Sequence, residues 1–479
     1  VSRLRNSLPL LFVIASAVAL VIFKWPHLAL PAYWDEGFPY VYGIRYLHDH
    51  HLTLLPNGMP PLYSTGHPTL FYFLAASWMR IFGTGIFTAH LFPLLVSVIL
   101  LFAVYRFGKM VVSPWAGAMA AFLLCTRTIF LAQSSFLLPE ILLALFALLT
   151  FQSWLLGKRK SYFIWGSLLL LTKEPGLVLI AVLGAIELAE LLHDKEKKPH
   201  KKLLHLLVTA SPVLPAVLFF IVQRIQMGWF FFPRHINSFH TTAGAFSDKL
   251  VKGFGSHFFI YYGGIVTTAI VFASAVFLLL KKIKLPALQQ KMAIASILMI
   301  FAYLVFFSFS FPIQRYMLLL YGPWFVTVIL LLITVMGEAK KTGAFAILFV
   351  AGIIQLGYAY DVRSLGDYDL GYMDVVKTQQ EAVRWCIEND YRQKKIFSQQ
   401  QLERGMKSDA AGFVNAQELF TDVSNSIEPG TSLFIFTCTE SDPSDQQARR
   451  LPLKKAARFE HGKAWTEIYT RDTSSAPQP

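Results

Sequence analysis

The sequence predicts a polytopic α-helical membrane protein of about eleven transmembrane helices, followed by a small C-terminal α/β domain. Three observations predict it. Of 479 residues, 55% are hydrophobic and only 15% are charged, against about 25% charged residues in soluble domains. Mean hydropathy is +0.49, and apolar runs near bilayer length, about 20 residues, recur through most of the chain. After Asp361 the composition turns polar, with short runs that read as buried strands and one amphipathic helix.

The spans fall at 8–23, 86–105, 115–131, 136–156, 162–171, 176–192, 203–225, 258–280, 292–311, 316–336 and 345–360. The first run lacks a small-residue cleavage site and flows into Lys24-Trp25-Pro26, so it reads as a signal anchor. The fifth run is short. It and the sixth flank Lys173-Glu174-Pro175, where proline disfavours a continuous helix and a break lets two charged residues leave hydrocarbon.

Sidedness follows from the net charge of +14. In a soluble protein such a charge would suggest nucleic acid; here it sits in short loops and sets topology instead. With Arg3 and Arg5 inside, every strongly basic loop lands on the same side: Arg106 and Lys109; Lys158, Arg159 and Lys160; Lys195, Lys197, Lys198, Lys201 and Lys202; Lys281, Lys282 and Lys284; Lys340 and Lys341. Merging 162–192 into one span would break that agreement. The outside receives a long first loop at 24–85, another at 226–257, and everything after Asp361. The chain therefore divides into a membrane domain, 1–360, and an extracytoplasmic α/β domain, 361–479, ending in a disordered Ser/Pro tail.

In the C-terminal part, 381–388 reads as an amphipathic helix, 395–398 and 432–437 as buried strands, and 455–459 with 464–469 as a hairpin around His461-Gly462-Lys463. Of three cysteines, Cys125 packs within a span, and Cys386 and Cys438 read as free thiols, with a disulfide between them in an oxidising compartment as the alternative.

Ionisable residues gather at the outer face. The first loop opens with Tyr33-Trp34-Asp35-Glu36-Gly37. Adjacent carboxylates beside an apolar span are costly unless they face water, a metal or a cationic partner. Glu140 begins the fourth span, Lys173-Glu174 mark the outer break, and Gln314-Arg315-Tyr316 open the tenth span. Taken singly, these read as snorkelling cations or helix-end carboxylates. Together they suit general-base chemistry on a hydroxyl beside recognition of an anionic lipid phosphate. Arg127 either joins them or snorkels. His67 is a metal ligand, a phosphate contact or simply hydrogen-bonded, and Arg234-His235 in the later loop are weaker candidates. The stretch 68–82 suits a helix lying in the interface. There is no P-loop, no dinucleotide fingerprint and no zinc-type HExxH, and no internal repeat of the kind transporters carry.

These residues carry a resemblance to the GT-C glycosyltransferases, in the branch of protein O-mannosyltransferases and the lipid A aminoarabinose transferase. The matching features are, in order, Trp34-Asp35-Glu36, Gly66-His67-Pro68-Thr69-Leu70-Phe71-Tyr72, the acid Glu140, Leu171-Thr172-Lys173-Glu174-Pro175-Gly176, and Gln314-Arg315-Tyr316. The resemblance implies a polyprenyl-phosphate sugar donor and a glycolipid, polysaccharide or protein acceptor hydroxyl. Asp35 would be the catalytic base of an inverting transfer, with Glu36 orienting it or contacting a metal or the acceptor. Glu140 would be the second acid, positioning acceptor or metal. Lys173 and Arg315, with His67 and Arg127 beside them, would hold the donor phosphate; Glu174, Arg234, His235 and Tyr316 would serve the acceptor or another part of the site. A divalent metal on Asp35, Glu140 or His67 stays an open alternative. Thr69 stands where relatives often have a second proline. The competing reading is a transporter or flippase of lipid-linked sugars. The compact loops favour a bacterial inner membrane, with the active site facing the periplasm.

Overall fold

The computed structural model describes residues 2–193, 198–233, 242–309, 313–439 and 443–471, apart from the side chains of 2–6, 338 and 400. Each of the eleven expected spans is largely helical over its described residues. Six helical segments are long and apolar enough to cross a bilayer: Ser7–His27, Ile86–Val111, Gly176–His193, Ala287–Ser308, Gln314–Met336 and Lys341–Asp361. Two further spans are bent pairs, Pro199–Ala210 with Val213–Met227 at 57° and Ala243–Phe259 with Gly264–Leu280 at 86°. By length and composition the described chain thus offers six crossings, or eight with each bent pair counted as one.

The three other expected spans are shorter helices. The third is broken into Pro114–Cys125 and Thr128–Gln133, the fourth is Glu140–Leu155 and the fifth is Arg159–Thr172. The 16 residues of Glu140–Leu155 rise about 24 Å, short of a core of about 30 Å. That helix is buried on nearly every side, so its uniformly apolar surface faces neighbouring helices rather than lipid. The Ile86–Val111 and Pro114–Cys125 helices meet through small residues: a Cβ on Gly117 would stand 2.2 Å from the Tyr105 carbonyl oxygen.

The break at Lys173-Glu174-Pro175 lies where the charges required it. The Arg159–Thr172 helix ends on Lys173, whose backbone is extended, and the next helix starts at Gly176. The first loop is partly helical, with segments at Val41–Asp49 and Leu70–Phe82; the second falls within the stretch 68–82 read as helical.

Beyond Asp361 the helix Tyr372–Glu388 packs on a five-stranded sheet. Its strands are β1 (Ile396–Phe397), β2 (Val423–Ser424), β3 (Leu433–Thr437), β4 (Leu453–His461) and β5 (Ala464–Arg471), in the order β2-β1-β3-β5-β4. β1 runs parallel to β2 and β3, whereas β5 is antiparallel to β3 and β4. β3 is buried along its whole length, as a central strand covered on both faces must be. β2 was not anticipated; two residues carry no readable period. Cys125, Cys386 and Cys438 are free.

The C-terminal region grips the first loop. The Ala32 amide donates to the Ala411 carbonyl at 2.8 Å, the Tyr42 hydroxyl donates to the Arg404 carbonyl at 2.9 Å, and the Arg404 guanidinium lies 3.6 Å from the Phe38 ring centroid. At the end of the first helix the buried Lys24 ammonium donates to the Ala132 carbonyl and the Tyr372 hydroxyl, each at 3.1 Å. Trp34 and Asp35 therefore sit on a loop fixed from two sides.

Candidate active site

Four separate segments converge on Arg315. It lies on the first turn of a 3-10 segment, Gln314–Leu320, that leads into the helix Tyr321–Met336. One terminal nitrogen of its guanidinium (Nη2) pairs with Asp35, and the other (Nη1) pairs with Asp367 from the connection between the last apolar helix and the Tyr372–Glu388 helix. Its Nε stands 3.5 Å from Oε1 of Glu140. The same Glu140 oxygen accepts from the Lys173 ammonium at 2.8 Å, and Lys173 lies 4.2 Å above the Tyr316 ring centroid. Local geometry presents these groups. Trp34 adopts φ +53°, a left-handed conformation costly for a non-glycine residue, directly before Asp35. Glu140 opens its helix, where the unpaired N–H groups favour a carboxylate.

Exposure separates two kinds of member. The side chains of Arg315, Glu140 and Lys173 are 2%, 1% and 3% exposed, whereas Asp35 is 34% exposed. Asp35 is the part of the cluster that a solute reaches, and the other three are held behind it. Charge is unbalanced: among the described residues, Asp35, Glu140 and Asp367 face the two cations Lys173 and Arg315. Burial pushes the Asp367 carboxyl above the ordinary aspartate range, Arg315 opposes that shift, and the charges of Asp35 and Glu140 reinforce it. Buried Oε2 of Glu140 and Nε of Arg315 lack a hydrogen-bond partner among the described residues. Leaving buried polar atoms unmatched costs about 1–3 kcal/mol each, and both of these atoms lie within the Arg315 cluster.

Glu36 stands beside Asp35 in sequence but turns into the protein. Its carboxylate accepts the Leu137 amide, meets Nε2 of His90 at 2.9 Å and takes the Tyr33 amide at 3.2 Å. Nδ1 of His90 faces the Leu28 carbonyl at 2.9 Å. A carbonyl only accepts, so His90 Nδ1 is the donor in that contact. Glu36 thus orients the Asp35 turn through the backbone. His67 pairs with Glu174 at 2.8 Å, joining the first loop to the Lys173 break.

Arg127 is not brought to the Arg315 cluster. It is buried, donates to the backbone carbonyls of Tyr262 at 2.7 Å, His257 at 2.9 Å and Phe258 at 3.3 Å, and lies 4.8 Å from the Tyr321 ring centroid. It neither snorkels nor faces the acids; it fastens the bend between Ser256–Phe259 and Gly264–Leu280. Arg234 and His235 lie outside the described residues.

Two members escaped the sequence reading. His90 had a signal, being a lone ionisable group inside an apolar span. Asp367 had none, because acids are common in polar connections. For a divalent metal the fit is poor: Lys173 and Arg315 already stand between the carboxylates, and among the described residues no group of three or more His, Cys, Asp or Glu side chains is arranged to hold an ion.

Comparison with known proteins agrees with this architecture. Residues 66–219 match the family model described as dolichyl-phosphate-mannose-protein mannosyltransferase. No curated protein matches the chain. Among solved structures, ArnT from Cupriavidus metallidurans bound to undecaprenyl phosphate aligns over 99% of this chain and 100% of its own, at 13% identity and a TM-score of 0.59. The Archaeoglobus fulgidus oligosaccharyltransferase in complex with zinc and sulfate aligns over 84% of this chain and 61% of its own, at 13% identity and a TM-score of 0.51. The archaeal oligosaccharyltransferase AglB from Archaeoglobus fulgidus, with an inhibitory peptide and a dolichol-phosphate, aligns over 99% and 75%, at 12% identity and a TM-score of 0.50. Fold and site define the class: this is an integral membrane protein with the GT-C fold. The matched segment is similar to the protein mannosyltransferase family, and the whole-length likeness to ArnT is one of fold.

Proposed function

We propose that this chain is an inverting glycosyltransferase that moves a sugar from a polyprenyl-phosphate donor to an acceptor hydroxyl at the outer face of the membrane. The observation that carries the reading is a partly exposed Asp35 on a buried Arg315, backed by the Glu140–Lys173 pair. An acceptor hydroxyl beside Asp35 gives up its proton to the carboxylate as its oxygen bonds to the anomeric carbon. The bond from that carbon to the phosphate oxygen breaks, and the electron pair leaves with the polyprenyl phosphate. Arg315 and Lys173 meet the growing phosphate charge, which rises from one negative charge in the diester toward about −1.5 to −2 in the monoester. Proton abstraction of this kind is typically worth about 10²–10⁴-fold in rate. Glu140 fixes Lys173 and Arg315, while Tyr316 lies under Lys173 as a wall of the site.

The basic loops on the opposite side of the predicted topology support a site and C-terminal region outside the cytoplasm. His67 and Glu174 brace the loop that borders the donor site. Purified protein in sided proteoliposomes, given labelled polyprenyl-phosphate sugars and hydroxyl acceptors, tests the reading. Covalent transfer with release of polyprenyl phosphate supports it. Movement of the intact lipid-linked sugar across the bilayer without transfer would make the chain a flippase instead.

A further inference from the structure

The connection that carries Asp367 is built, not slack. It runs from the end of the Lys341–Asp361 helix to the start of the Tyr372–Glu388 helix. Asp369 ties it, accepting the Ser364 amide at 3.0 Å, the Gly371 amide at 2.8 Å and the Tyr262 hydroxyl at 3.1 Å. A Cβ on Gly371 would stand 1.6 Å from the Ser364 carbonyl oxygen, so the turn closes only with glycine there. The Tyr33 hydroxyl donates to the Leu365 carbonyl, and the Gln133 amide donates to the Asp367 carbonyl at 2.6 Å. These five contacts, from the first loop, the membrane helices and the segment itself, aim one carboxylate at Arg315.

That carboxylate creates a conflict with the proposed chemistry. Every edge of the Arg315 guanidinium faces a carboxylate: Nη2 meets Asp35, Nη1 meets Asp367 and Nε stands 3.5 Å from Glu140. A donor phosphate therefore meets Arg315 in competition with one of these acids. Asp35 must stay where the acceptor meets it, and it is the most exposed member. Asp367 is the buried third acid, carries the charge that two cations leave unmatched, and belongs to no step of the transfer. A sugar phosphodiester bears one negative charge, so exchanging it for the Asp367 carboxylate on Nη1 leaves the charge of the cluster unchanged.

Resting on the reading of Arg315 as the donor-phosphate residue, we propose that Asp367 is a placeholder: it occupies the phosphate position in the empty enzyme and is displaced when the polyprenyl-phosphate donor binds. The C-terminal region thereby sets donor affinity, because its connection supplies the competing group. Asp367 is a positioning residue in this account and touches no reacting atom.

The test is binding of undecaprenyl phosphate to the full chain in lipid nanodiscs, in a double-substitution cycle of Asp367→Asn and Arg315→Gln. With Arg315 present, Asp367→Asn should lower the Kd about tenfold, or about 1.4 kcal/mol. In the Arg315→Gln background the same change should have no effect. Asp367→Ser should match Asp367→Asn, which guards against a folding artefact in either. Unchanged or weaker binding in both Asp367 variants would overturn the placeholder while leaving the donor site intact. Equal tightening in the Arg315→Gln background would also overturn it, since a diffuse field effect does not need Arg315. Equal binding by the parent and Arg315→Gln would refute the donor-site reading itself, and the placeholder with it.

Discussion

Lys173→Met is the most informative single change to the buried cluster. The Lys173 ammonium and the Glu140 carboxylate are 2.8 Å apart and both almost wholly buried. At that separation an effective dielectric of 20 gives about 6 kcal/mol of attraction. Removing one partner of such a pair typically costs about 3–5 kcal/mol, because the other charge stays buried and uncompensated. Here Arg315 remains 3.5 Å from Glu140, so the expected cost is near the lower end, about 3 kcal/mol. Glu140→Leu should cost a similar amount. The combined variant removes both charges and leaves Arg315 its two aspartates, so it should be at least about 2 kcal/mol less destabilised than the sum of the singles. Reversible unfolding in mixed micelles would measure all four proteins. A Lys173→Met cost under about 1 kcal/mol, or strictly additive losses, would refute the claim that this pair holds the site together.

Arg127→Ala leaves the carbonyls of Tyr262, His257 and Phe258 without their donor. It should destabilise by about 3 kcal/mol in the same assay, yet change the Kd for undecaprenyl phosphate far less than Arg315→Gln does. Glu36→Gln keeps an acceptor for the Leu137 amide but disturbs the pairing with His90. It should cost about 1–3 kcal/mol and lower kcat with little change in KM, whereas a loss of activity as deep as that of Asp35→Asn would make Glu36 a direct participant. In the sheet, burial alone would raise the Glu467 carboxyl, but the Lys455, Tyr469 and Arg458 hydrogen bonds hold it below the ordinary glutamate value. A carboxylate depressed on folding stabilises above its unfolded value, about 4.3. The stability gap between the parent and Glu467→Gln should therefore be full at pH 7 and close as pH falls through the depressed value. A gap independent of pH between 7 and 3 would contradict the pairing.

Much of this molecule is legible because the bilayer punishes charge. Asp35, Glu140, Lys173 and Arg315 each stood out as an ionisable residue at the edge of an apolar run, and the structure gathers all four. The break at Lys173-Glu174-Pro175 was legible for the same reason. The sequence was least informative where a residue's partner is distant in the chain. Nothing local distinguishes Arg127, consumed by backbone carbonyls some 130 positions away, from a cation that meets a phosphate. Glu36 and Asp35 are adjacent, so their opposite directions depend on the turn at Trp34. Asp367 sits in a polar connection, where an acid is unremarked until Arg315 is seen opposite it. Span number was blurred because Glu140–Leu155 and Arg159–Thr172 are apolar enough to suggest crossings but too short to make them unaided.

The central claim is that Asp35 takes the acceptor proton in a sugar transfer. The most direct measurement is single-turnover transfer from a labelled polyprenyl-phosphate sugar by the parent and Asp35→Asn, with undecaprenyl phosphate binding measured on the same preparations. The account predicts transfer by the parent, a loss of at least about 10²-fold in the variant, and donor-phosphate binding retained by both. An Asp35→Asn protein that binds undecaprenyl phosphate and transfers sugar at the parental rate would contradict it.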